Sequence, residues 1–123
     1  MSETMARKKI LIIEDDESVQ KILKLIFERA GYDIEISSNG QSIYHEGKLW
    51  PDLFLLDKHL QGYDGLEICR YLKSNKETRN IPIIMLSATP GIEPLAFDAG
   101  ADSFIEKPFN SAVLVTKVAE YLK

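Results

Sequence analysis

Residues 53–65 read LFLLDKHLQGYDG: four apolar residues, Leu53 to Leu56, run straight into Asp57, and a loop with glycines at 62 and 65 follows. An apolar run without alternation predicts a strand buried on both faces, as in the middle of a parallel sheet. An ionised carboxylate at the end of such a run is costly unless it is paired, bound to metal or chemically used. The stretch therefore decides two matters together, a sheet interior and an acid with a task.

Working outward, two more apolar runs have the same character. Lys9–Ile13 ends in Glu14, Asp15 and Asp16, and Ile81–Leu86 ends in Ser87. Tyr32–Ile36 alternates like a half-buried strand, and Ser103–Glu106 is a short strand followed by Lys107-Pro108. Between them, Glu17–Ala30 carries apolar residues at 19, 22, 23, 25, 26 and 27, broadly helical in period, with Gly31 as a stop. Gln41–Lys48 has only faint helical patterning, and Trp50-Pro51 marks a turn. Leu66–Lys73 places Leu66, Cys69 and Leu72 on one helical face, and Ser111–Leu122 closes the chain as a helix. Strand and helix alternate five times, which predicts an α/β fold with an open parallel sheet covered on both faces. No repeat, linker or low-complexity block interrupts it, so residues 9–123 read as a single domain behind a tail at 1–8.

The segment between Ser87 and Lys107 is less regular. Pro90 biases Thr89 away from helical dihedrals, Gly91 is a poor helix former, and Pro94 fits best at a first helical position. Gly100 is a terminator. The fourth helix is therefore expected to be short or irregular, from about Pro94 to Ala99, behind a mobile 88–93 loop.

Bulk composition narrows the classes of function. A chain of 123 residues, 45% apolar and 28% charged, suits one globular domain with a real core. Its net charge of −4 offers no attraction to nucleic acid or an anionic membrane, and direct binding to either is not expected. The single cysteine, Cys69, excludes an internal disulfide and a cysteine-based zinc site. No apolar run reaches the ~20 residues of a membrane span and Met1–Lys9 has no signal-peptide core, so the expected compartment is the cytoplasm.

In an open parallel sheet the site lies outside the carboxyl ends of the strands, where the strand order reverses. The residues that end the runs thus converge: carboxylates from two strands, the Ser87 hydroxyl from a third and the Lys107 ammonium from a fourth. Clustered carboxylates raise one another's pKa unless a cation joins them, and all-oxygen ligands suit Mg²⁺ or Mn²⁺. An aspartate beside such a metal, with hydroxyl and ammonium donors at hand, is equipped to attack phosphorus. Asp57 is read as a phosphoryl acceptor, with Lys107 and Ser87 binding the transferred oxygens.

Each residue has a blander reading. Asp15 and Asp16 suit an N-cap, Lys107 a solvated surface, Ser87 a polar strand end, and Phe104 the core. His59 reads as a loop side chain beside the site; His45 carries no signal, and Trp50 is a packing anchor. Two rival chemistries fare worse. An FMN cradle needs hydroxyls and glycines in the first loop, which here is acidic. The calcium-loop pattern begun by Asp57-x-His59-x-Gln61-Gly62 fails because Ile68 stands where a glutamate is required.

Four stretches in order, ILIIEDDES, LFLLDKHLQGYDG, IPIIMLSA and AGADSFIEKPF, make the chain resemble a response-regulator receiver domain of two-component signalling over essentially its whole length. The resemblance implies a doubly wound, flavodoxin-like sheet of order 2-1-3-4-5. It implies Asp57 as phosphoacceptor and direct metal ligand, Asp15 as direct ligand, Glu14 as a ligand through water, and the His59 backbone carbonyl as a further ligand. Ser87 and Lys107 would bind phosphoryl oxygens, Ser87 and Phe104 would form the switch, and Lys107-Pro108 would be cis. Glu14-Asp15 is aligned with the family's acidic pair because Ile13 should abut it; Asp16 then falls in the first turn of the helix.

The implied function is Mg²⁺-dependent, self-catalysed transfer from a phosphohistidine protein onto Asp57, followed by a conformational change; the domain is not otherwise an enzyme. The implied partners are a sensor histidine kinase or histidine phosphotransfer protein and a downstream partner or output domain. A degenerate receiver that only docks is the alternative. Gln61 departs from the proline common in the family before the glycine. Because the chain ends at Lys123 just after its last helix, the expectation is a stand-alone regulator or a receiver excised from a longer protein.

Overall fold

The computed structural model describes residues 7–44 and 49–122. Strands β1 (Lys9–Ile13), β2 (Asp33–Ser37), β3 (Leu53–Asp57), β4 (Ile83–Ser87) and β5 (Ser103–Glu106) form a parallel sheet in the order β2-β1-β3-β4-β5. This is the doubly wound order that the resemblance implies. Helices α1 (Glu17–Arg29) and α4 (Ser111–Tyr121) cover one face; α2 (Gly65–Ser74) and α3 (Ile92–Asp98) cover the other.

The three unalternating runs occupy the centre. Every residue of β3 and β4 is buried, as are Ile10 to Ile13 of β1. Alternate residues feed two cores: Phe54 and Leu56 pack toward α2, Leu53 and Leu55 toward α1 and α4. Each such side chain fully removed from water contributes about 1.5–3 kcal/mol. The thinner patterning of β2 follows from its place at the sheet edge, where Ile34, Glu35 and Ile36 are all half-buried.

Local chemistry sets the helix ends. Asp16 caps α1, its Oδ1 accepting from the amides of Ser18 (2.8 Å) and Val19 (3.2 Å). Of the six apolar residues read along α1, Leu23 and Phe27 are buried and Val19 and Ile26 partly so, whereas Ile22 and Leu25 are each 52% exposed. Asp64 caps α2 through the Leu66 amide at 2.9 Å, and Leu66, Cys69 and Leu72 point inward as the spacing predicts. Burial pushes the Cys69 thiol up to about 11, so it packs as an inert apolar group. Gln41–Tyr44 is one turn of 3₁₀ helix, and the rest of the helix expected over 41–48, with His45, lies outside the described residues.

Two boundaries differ instructively from expectation. β4 begins at Ile83 instead of Ile81, because the Ile81 amide donates to the Thr78 carbonyl (2.9 Å) in a turn and Pro82 has no N–H to give a ladder. The helix between β4 and β5 is short, as expected, but it starts at Ile92 and not Pro94. Gly91, at φ 81°, supplies the left-handed residue that turns the chain into it, and buried Ile92 and Ala96 anchor it. Pro94 then takes the third helical position, where its missing N–H would have had no intrahelical partner.

At the amino ends of β4 and β5, Lys73 ties four elements together. Its Nζ donates to the carbonyls of Arg79 (3.2 Å) and Ile81 (2.9 Å) and to Asp102 Oδ2 (2.8 Å). The same carboxylate oxygen accepts from the Ile83 amide at 2.8 Å, and the Tyr121 hydroxyl donates to the Asp102 carbonyl at 2.9 Å. Among the described residues no helix is long and apolar enough to cross a membrane.

Candidate functional site

The sheet register builds the site. Ile13 pairs with Leu56, Asp57 with Leu86, and Ser87 with Glu106. Glu14, Asp57, Ser87 and Lys107 therefore leave neighbouring strands at nearly one level, at the carboxyl edge. The order reverses between β1 and β3, and that is where the crevice opens.

Lys107 Nζ lies 3.0 Å from Asp57 Oδ1 and 3.2 Å from Glu14 Oε1. Asp57 is 5% exposed, Glu14 2% and Ser87 1%. One oxygen each from Glu14, Asp15 and Asp57 falls within 4.8 Å of the others, with Asp15 the most exposed of the three. The sequence alignment of Glu14-Asp15 with the acidic pair thus matches the geometry. Asp16 is engaged elsewhere as the α1 cap, so the N-cap reading holds for it and not for Asp15.

The cluster is held from behind. Glu14 Oε2 accepts from the Asp16 amide (3.1 Å), and its carbonyl accepts from Gln20 Nε2 (2.6 Å). Asp15 Oδ2 accepts from the Gln61 amide at 2.9 Å, which ties the first acidic loop to the loop after β3. That loop folds as a two-residue antiparallel ribbon, His59–Leu60 against Tyr63–Asp64. Gly65 closes it, its amide donating to the Lys58 carbonyl at 2.8 Å. A Cβ at Gly65 would collide with the Asp57 carbonyl oxygen and the Lys58 Cα, so the residue after the loop has to be glycine. The half-buried Lys58 turns away to Asp64 Oδ1 at 3.4 Å.

Electrostatics mark the site as short of positive charge. Burial pushes the pKa of Asp57 above its ordinary value; the Lys107 hydrogen bond and charge oppose this, and Asp15 adds to it. Burial likewise raises Glu14, against the Asp16 amide and with the Asp57 charge. For Lys107, burial works against the charged form, but Asp57 and Glu14 outweigh it and raise its pKa. One ammonium against three carboxylates leaves two negative charges uncompensated, and a divalent cation with a preference for oxygen would balance them. The residues present fit a metal of that kind.

Sequence reasoning brought together Asp57, Glu14, Asp15, Ser87 and Lys107, and the fold does the same. His59 stands two residues past Asp57 at the head of the ribbon, Phe104 is half-buried opposite Met85, and Lys107-Pro108 is cis. Gln61 stood out only as a departure from proline, not for the amide it gives to Asp15, and Gln20, whose side-chain amide reaches the Glu14 carbonyl, was missed; backbone partners leave no pattern in sequence. Thr89 was missed as well: its amide donates to Ser87 Oγ at 3.0 Å and its hydroxyl meets His59 Nε2 at 2.7 Å.

Residues 10–119 match the family described as the response regulator receiver domain. The chain is similar to the DNA-binding dual master transcriptional regulator RpaA of Synechocystis sp., 34% identical over 120 residues, which cover 94% of this chain and 49% of that protein. The chain spans about half the length of the curated relatives it matches. Among solved structures, the signal receiver domain of a signal transduction histidine kinase from Syntrophus aciditrophicus superposes with a TM-score of 0.85 at 35% identity, covering 94% of this chain and 89% of that one. The receiver domain of sensor histidine kinase PA1611 from Pseudomonas aeruginosa, with a magnesium ion coordinated in its active-site cleft, gives 0.86 at 26% identity, covering 95% and 98%.

Proposed function

The chain belongs to the response regulator receiver domain family of two-component signalling, and from that premise we propose that Asp57 accepts a phosphoryl group from a phosphohistidine. The observation that carries this reading is the contact of Lys107 Nζ with the buried Asp57 Oδ1 at 3.0 Å, at the sheet edge where β4 ends in the buried Ser87. An Asp57 carboxylate oxygen attacks phosphorus, a P–O bond forms, the P–N bond to the donor imidazole breaks, and the imidazole leaves with that electron pair. Burial strips water from the carboxylate and raises its basicity, which favours it as a nucleophile. Lys107 and the Ser87 hydroxyl then face the new phosphoryl oxygens, and Lys107 exchanges its carboxylate partner for the added anion.

Glu14, Asp15 and Asp57 would hold Mg²⁺, or Mn²⁺ in its place, with the His59 carbonyl as a further oxygen donor. Bound there, the ion supplies charge neutralisation for the incoming phosphoryl oxygens. The domain turns over no separate substrate; it catalyses its own phosphorylation and dephosphorylation. The donor is a sensor histidine kinase or a histidine phosphotransfer protein, encountered in the cytoplasm. An output domain or separate partner reads the result, as the DNA-binding activity named for RpaA illustrates in that protein.

The switch joins Ser87 to α3 and Phe104. A helix of seven residues led by a glycine without a side-chain cap has little stability of its own. Phosphorylation orders residues 89–99, and amide exchange there is expected to be faster than in β3 before phosphorylation and slower after it. The chemistry is tested with acetyl phosphate and Mg²⁺: mass spectrometry should show one acid-labile phosphoryl group, absent in Asp57→Asn. Undiminished labelling of that variant would overturn the assignment.

A further inference from the structure

His59 and Thr89 face one another across the mouth of the crevice from two different loops. His59 Nε2 and Thr89 Oγ1 are 2.7 Å apart, and both residues are exposed. Thr89 is tied inward as well, because its amide donates to Ser87 Oγ at 3.0 Å. The Ser87 carbonyl in turn accepts from the Lys107 amide at 2.9 Å. A line of contacts thus runs from the ribbon after β3, through the turn after β4, to the Ser87 hydroxyl and, by backbone groups alone, to Lys107.

The arrangement bears on the direction of one proton. A serine hydroxyl has one hydrogen to donate and lone pairs to accept with. Since Ser87 Oγ accepts from the Thr89 amide, the oxygen is held on that side and its own hydrogen stays available for an anion in the crevice. The 87–89 turn has no regular structure to hold it; β4 ends at Ser87, α3 starts only at Ile92, and Pro90 and Gly91 lie between. The link to His59 is what braces the turn from outside.

We propose that His59 and Thr89 are positioning residues that orient the Ser87 hydroxyl for phosphoryl transfer, His59 acting through Thr89. The inference rests on the phosphoacceptor reading of Asp57 and adds two side chains, of which that reading used only the backbone carbonyl of His59. Losing one net hydrogen bond corresponds to about a two- to tenfold loss of rate.

The test follows phosphorylation by acetyl phosphate at fixed Mg²⁺ in wild type, His59→Ala, Thr89→Val and the double variant. Each single variant should be slower by about threefold or more, and the double variant no slower than the worse single one. His59→Gln and Thr89→Ser, which keep a side-chain partner at each end, should recover most of the rate. Mg²⁺ affinity of Thr89→Val, by NMR titration, should equal that of wild type, which separates positioning from damage to the metal cluster. Three-bond couplings of the Ser87 side chain, measured without any phosphodonor, should show one rotamer in wild type and averaging in His59→Ala. Unchanged rates in both single variants, or losses that multiply in the double variant, refute the proposal. A single Ser87 rotamer in His59→Ala refutes it independently, even if wild type were not phosphorylated and the phosphoacceptor reading itself failed.

Discussion

Two lysines at opposite ends of the same sheet show how one side chain serves two purposes. Lys73, at the amino ends of β4 and β5, gives its three protons to two backbone carbonyls and to Asp102, whose oxygen also takes the Ile83 amide. Every partner there belongs to the scaffold. Lys107, at the carboxyl end, is held by Asp57 and Glu14, two side chains with raised pKa values in an acid-rich crevice. Under the proposed function, a cation on one side and a phosphoryl group on the other would replace them. The difference is in what surrounds each lysine: saturation makes a staple, and surplus negative charge makes a site.

The comparison is sharpest if the two lysines are removed in turn. Lys107→Ala should lose most of the change in amide exchange that phosphorylation produces at residues 89–99, while Mg²⁺ affinity shifts far less, since its charge meets the anion. Hydrogen exchange on the phosphorylated and unphosphorylated variant measures this; a full wild-type response would show that Lys107 is as passive as Lys73.

The next effect lies in the acids that make the Lys107 end unsaturated. Asp15→Ala should weaken Mg²⁺ binding by about tenfold or more, and Glu14→Ala by less, because the Asp15 carboxylate is the more open of the two and Glu14 is already committed to Lys107 and the Asp16 amide. Fluorescence or NMR titration with Mg²⁺ ranks the two, and the reverse ranking would reassign the direct ligand.

At the other end, Lys73→Met keeps the aliphatic stem but removes the ammonium. It should cost about 1–3 kcal/mol of stability in denaturant unfolding, with the rate of Asp57 phosphorylation unchanged. A variant as stable as wild type would mean that the staple is ornamental.

The smallest effect carries the sign of the pKa shifts. Asp57 is raised from its ordinary value of 3.8 by burial, so the folded state holds the neutral acid more tightly than the unfolded chain does. Its favourable contribution is complete below that value and is lost as pH rises through the folded pKa. Asp57→Asn should therefore melt above wild type at pH 7 without metal, and the gap should close as the pH falls toward 3.8. Thermal scans across that range check it; a gap that widens on acidification would reverse the electrostatic picture of the crevice.

Much of this was legible along the chain because the information is local. An apolar run without alternation specifies a strand covered on both faces, and the residue that ends it then lies at a sheet edge. Leu53 to Asp57 needed no more than that, and Glu14, Ser87 and Lys107 followed by the same rule. Short range also sufficed for the brief helix after β4, since prolines and glycines act on their own dihedrals. Its first residue was misjudged because Pro94 tolerates the third helical position as well as the first, and the choice was made by burying Ile92.

What the sequence determined by itself was the order of the elements, the central strands and the set of chemically useful residues at their ends. Only the tertiary structure decided what holds each acid: the amides of Ser18 and Val19 for Asp16, the Gln61 amide for Asp15 and Lys107 for Glu14. It decided likewise that Lys73 would be a staple and Lys107 a site, and that Thr89 would stand between His59 and Ser87. The physical reason is range. Propensity and periodicity act within a few residues, whereas the partners of a charge or a hydroxyl come from chain up to 93 residues away and are set by the register of the sheet.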